Sequence, residues 1–167
     1  MEQFFKKLSV SISIAIFFGL VLPGCISNIL KEKIPSFSEQ IAFSPPAGFK
    51  KMKSIYPSWK NNETQNAILI ISNCDENKYS TPYAHMIISE NIDNPRVEVS
   101  KVDNVRLPKQ VTKQIHGSVD EEAVEVKTIA FQHKNCVYVS ALSGRPQSIA
   151  KDFDHWKSFL KSIEFKK

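Results

Sequence analysis

The sequence predicts an α+β domain in which a mixed, mainly antiparallel sheet is covered by a C-terminal amphipathic helix. Three observations predict it. Ile149, Phe153, Trp156, Leu160 and Ile163 recur at spacings of four, three, four and three residues, which places five large apolar side chains on one face of a helix. Residues 67–72 are almost wholly aliphatic, as in a strand buried on both faces. Between Gln110 and Leu142 the chain alternates and is rich in β-branched residues, with His133-Lys134-Asn135 as a hairpin turn.

The chain opens with a basic start at Lys6 and Lys7, then an uncharged apolar run from Leu8 to Leu22, then Leu22-Pro23-Gly24-Cys25. That order is the order of a secretory signal peptide. The apolar run is about fifteen residues, short of the roughly twenty that span a bilayer as a helix. The tetrapeptide resembles the lipobox of bacterial lipoprotein precursors, with Leu22, Gly24 and Cys25 on the pattern and Pro23 off it. The resemblance implies cleavage after residue 24 and lipid on Cys25, which anchors the chain to a membrane, each buried methylene contributing about 0.8 kcal/mol. Ile26 stands where an aspartate retains many such proteins in the inner membrane, so the resemblance implies the outer membrane, facing the periplasm, if the cell has two.

Residues 26–38 have mixed charge and no sustained periodicity and read as a tether, spanning on the order of 20 Å if flexible. A short helix from Asn28 to Ile34 is the alternative. The organisation predicted is thus 1–24 signal peptide, 25–38 lipidated tether and 39–167 a single domain. After cleavage 167 − 24 = 143 residues remain, an ordinary size for one domain.

Within the domain, residues 40–43 form a short strand stopped by Ser44-Pro45-Pro46-Ala47-Gly48. A second strand is expected from Lys53 to Trp59, then a turn at 61–64, then the aliphatic strand 67–72 at the centre of the sheet. Thr81-Pro82 is a helix start, giving a helix from Pro82 to about Asn91. Strands follow over 96–105, 110–118, 123–133 and 136–142. On the closing helix, Lys151, Asp154, Lys157 and Lys161 fall opposite the apolar face, so the helix covers the sheet.

This order of elements, with Phe43 before Pro-Pro-Ala-Gly-Phe, an early Trp59, and Phe153, Trp156 and Phe159 ahead of Ile163-Glu164-Phe165, resembles the Mog1/PsbP-like α/β/α sandwich found in small bacterial lipoproteins similar to DcrB. The resemblance spans about residues 40–165. It implies a binding or assembly factor rather than an enzyme, and no functional residue of that group maps onto this chain.

The net charge of +5 is spread among acids rather than striped, which argues for a solvated surface and against a nucleic-acid partner. With Cys25 assigned to lipid, Cys74 and Cys136 remain, and an even pair in an exported chain points to one structural disulfide. Separate buried thiols or a redox couple are the alternatives, and no Cys-x-x-Cys spacing supports the latter. No catalytic or metal-binding motif is present, and no cofactor is implied. His85, His116, His133 and His155 stand apart in sequence. Asp152 and His155 are three residues apart on the last helix and read as a solvent-facing pair, with a metal or acid-base role as the sharper alternative. Asp75-Glu76 and Asp120-Glu121-Glu122 read as solvated loop carboxylates. The function expected is a non-enzymatic envelope lipoprotein that binds a protein or cell-wall partner. The alternatives are a small-ligand carrier with a pocket between sheet and helices and, third, a hydrolase or other enzyme.

Overall fold

The computed structural model describes residues 37–74 and 80–167. The predicted signal peptide, Cys25, the tether up to residue 36 and Asp75-Glu76 lie outside the described residues. Seven strands form one antiparallel sheet: β2 (Lys50–Lys51), β3 (Ser58–Lys60), β4 (Ala67–Asn73), β5 (Asp93–Val99), β6 (Val111–Val119), β7 (Glu122–His133) and β8 (Cys136–Gly144). Their order across the sheet is β2-β3-β4-β8-β7-β6-β5. A separate two-stranded sheet pairs β1 (Ile41–Ala42) with β9 (Glu164–Phe165). Helix α2 runs from Pro146 to Lys161, and a 3-10 turn, Thr81–Tyr83, leads into the short α1, Met86–Ser89.

Pleating sorts the side chains into two layers. Ile68, Ile70, Ile129, Phe131, Tyr138 and Leu142 face α2 and pack with Ile149, Trp156, Phe159 and Leu160. The alternate residues, Ile71, Ala130, Val137 and Val139, pack under Ala84, Ile87 and Ile88 on the opposite face. The result is an α/β/α sandwich around an antiparallel sheet with a C-terminal covering helix.

Helix α2 begins at Pro146, whose fixed φ suits a first turn and whose missing N–H costs nothing there. The β6–β7 hairpin turns through Asp120 and Glu121 at φ 49° and 68°, the two positive values of a tight hairpin whose twist matches its strands. Lys134, at φ 51°, serves the β7–β8 turn predicted at 133–135.

Several boundaries differ from expectation. Phe37 and Ser38, assigned to the tether, are packed: the Phe37 ring meets Phe43 and Tyr138 edge-on, and Ser38 N–H donates to Ser72 Oγ at 2.8 Å. The expected strand 53–59 is an irregular loop with only Ser58 and Trp59 in β3, because Pro57 cannot donate within a ladder. The central strand is β8, with β4 beside it. The helix expected over 82–91 is a 3-10 turn plus four α-helical residues. The strand expected over 96–105 spans Asp93–Val99; Val102, Val105 and Leu107 instead descend from a loop into the α2-side core.

Candidate functional site

A buried polar network joins the loop before β4 to α2. Asp152 is 2 % exposed. Its Oδ1 accepts from Asn61 Nδ2 at 3.0 Å, and its Oδ2 accepts from Asn66 Nδ2 at 2.7 Å and from the Thr64 hydroxyl. The Asn66 amide, fully buried, also donates to Ser148 C=O at 2.9 Å, and its Oδ1 accepts from Ser148 Oγ at 2.5 Å. Each buried polar atom of this clasp has a partner, as burial demands. Gly144 passes so close that a Cβ there would lie 1.8 Å from Asn66 Oδ1, so only glycine admits the clasp. Asp152 is therefore not the solvent-facing partner of His155 that its spacing suggested. It sits within the apolar stripe, three residues after Ile149 and four before Trp156, and an acid at such a position was the available signal.

His155 lies elsewhere, its ring 6.3 Å from that of Phe49, at a shallow polar depression shared with Lys50, Asn62 and Glu63. The remaining histidines stay apart. His85 bonds Pro82 C=O through Nδ1, and burial holds its pKa below the ordinary imidazole value. His116 meets Gln114 Nε2 at 3.1 Å, and His133 lies over Phe165 with centroids 4.7 Å apart. Among the described residues no group of three or more His, Cys, Asp or Glu side chains is placed to hold a metal ion. Asp120, Glu121 and Glu122 are exposed at the hairpin tip, where Glu122 meets Arg145 at 3.2 Å.

Cys74 and Cys136 are joined in a disulfide, with Cα atoms 4.0 Å apart. Strand register puts them there: Asn73 pairs with Val137, so the next step sets Cys74 opposite Cys136. Beside them, Tyr138 donates to Ser38 Oγ at 3.0 Å, and burial raises its pKa above the ordinary phenol value.

A largely apolar groove of about 460 Å³ lies between β1 and the 51–59 loop. Trp59, buried, is its floor; Phe37 and Phe43 form one wall and Tyr56 and Pro57 the other. The ring of Phe43 meets Trp59 and Phe159 edge-on at 5.8 and 5.4 Å, which fixes that wall to the core. Ile55, 62 % exposed, stands at the rim, and exposed Met52 lies on the same loop. No motif marks the groove; it arises because the loop ahead of Pro57 leaves the sheet edge and folds back toward Phe37.

No protein-family profile matches the sequence, and no match was found among curated proteins. Solved structures do match. A mutant of the protein Mog1 superposes with a TM-score of 0.54 at 9 % identity, covering 75 % of this chain and 90 % of that one. LpqN, described as involved in cell envelope biogenesis of Mycobacterium tuberculosis, gives 0.47 at 12 % identity over 76 % and 83 %. Cyanobacterial PsbP from Synechocystis gives 0.44 at 8 % over 75 % and 86 %. At such identities the likeness is one of fold, and the chain has the Mog1-like α+β architecture.

Proposed function

We propose that this chain is a cell-envelope lipoprotein, anchored through Cys25, whose domain acts as a non-enzymatic binding or assembly factor. The partner is an envelope protein that seats an apolar side chain in the groove over Trp59. The observation that carries this reading is the groove itself. It is aromatic, held rigid by ring contacts to the core, open to solvent, and rimmed by exposed Ile55, a combination suited to an anchoring side chain from another protein. A carrier with a pocket between sheet and helix would need the volume that Trp156, Tyr138, Phe131 and Phe159 fill.

Two measurements test the reading separately. For the anchor, Cys25→Ser should abolish incorporation of labelled fatty acid, and equal labelling of variant and wild type would overturn it. For the groove, a photo-crosslinking residue at position 55 in whole cells should give a discrete adduct with an envelope protein, while the same residue at position 151 gives none. Identical adduct patterns at both positions would remove the groove from the proposal.

A further inference from the structure

Strand β5 closes the sheet, and among the described residues no strand pairs with its outer edge. All seven of its residues are exposed, Val99 to 79 %. The regular part of this edge, Arg96–Val99, turns unpaired backbone groups outward and is a template for pairing with another chain.

The backbone phase is fixed by the loop end of β5. Ser100 N–H donates to Thr112 C=O at 3.2 Å, on the same register as Glu98↔Gln114 and Arg96↔His116. Antiparallel pairs alternate between hydrogen-bonded and non-hydrogen-bonded positions. Arg96, Glu98 and Ser100 therefore turn their backbone groups toward β6, while those of Val97 and Val99 point out of the sheet.

We propose that β5 is a homodimer edge: two copies of this chain pair antiparallel through β5 about a two-fold axis at Val97. In that register the outward N–H and C=O of Val97 exchange two bonds with Val97 of the second copy. Before Arg96 the register shifts at a bulge in which Asn94 has a φ of 50°, so the regular ladder of β5 runs over Arg96–Val99. Arg96 lies opposite Glu98 of the other copy, twice by symmetry, at the closer non-hydrogen-bonded spacing. On the opposite face Val97 meets Val97. Charge also rejects the neighbouring registers. Moving the axis to residue 98 sets Glu98 against Glu98, and moving it to 96 sets Arg96 against Arg96; like charges directly opposite are destabilising. Of these three registers, the one centred on Val97 alone sets opposite charges against each other, and that charge complementarity points to a second copy as the occupant of the edge.

A single strand pair is small beside the roughly 800 Å² per partner of stable interfaces, so cross-linking is the suitable probe. Full-length chain in detergent, carrying Val97→Cys, should give a disulfide dimer on mild oxidation, since paired Cα atoms about 5.5 Å apart lie within bonding range. Val99→Cys should not, because residues 99 of the two copies lie about 13 Å apart along the strands. Wild type run beside them accounts for any adduct through Cys25. Adding Glu98→Arg to Val97→Cys should lower the dimer yield about tenfold, and adding Arg96→Glu as well should restore it. Absence of the Val97→Cys dimer, equal yields at 97 and 99, or a yield indifferent to Glu98→Arg would each overturn the proposal.

Discussion

Asp152→Ala should destabilise the domain by about 3 kcal/mol, although the residue is a polar one on a covering helix. The carboxylate receives three donors, from Asn61, Thr64 and Asn66. Hydrogen bonds to a charged group contribute about 1.5–3 kcal/mol each, and a buried donor left without a partner costs about 1–3 kcal/mol. The donors of Asn61 and Thr64 lie near the surface and recover water when the acceptor is removed. The Asn66 amide is fully buried and cannot, so its loss dominates. Asn66 would keep Ser148 C=O, which limits the total. For a domain of this size about 3 kcal/mol lowers Tm by roughly 10 °C. Asp152→Asn keeps the shape and one acceptor and should fall between wild type and alanine. Thermal and urea unfolding read the effect. A Tm for Asp152→Ala within one degree of wild type would refute the view that the clasp holds the 61–66 loop to α2.

Trp156→Ala should cost about 3–5 kcal/mol, since the indole is fully buried and donates from Nε1 to Ser140 Oγ at 2.9 Å; unfolding in urea measures it, and an unchanged midpoint would place the helix face in solvent. Reducing the Cys74–Cys136 bond should cost on the order of 4 kcal/mol, because it frees a loop of 62 residues in the unfolded chain. Unfolding with and without reductant tests this, and mass spectrometry of alkylated, unreduced protein from the envelope should find neither cysteine free.

The layers of this protein are legible in its residue order. Ile149, Trp156 and Leu160 recur at a spacing that only a helix can bring to one face, while Ile163, expected on the same face, enters the core just past the helix end at Lys161. The strands at 67–73, 111–119, 122–133 and 136–144 announce themselves because burial writes their pattern into consecutive residues. Local chemistry was equally legible at the Lys134-Asn135 turn. What it left open depends on residues far apart in the chain. Asp152 looked like a surface acid because its partners, Asn61, Thr64 and Asn66, lie 91, 88 and 86 residues away. The β1–β9 pair joins Ile41 to Phe165, across nearly the whole domain, from segments too short to show any period. The aromatic groove and the open edge of β5 likewise exist only once Phe37 meets the 51–59 loop and once strand order leaves β5 outermost. Periodicity records which way a side chain faces; which partner it meets is set by the pairing of strands distant in the chain.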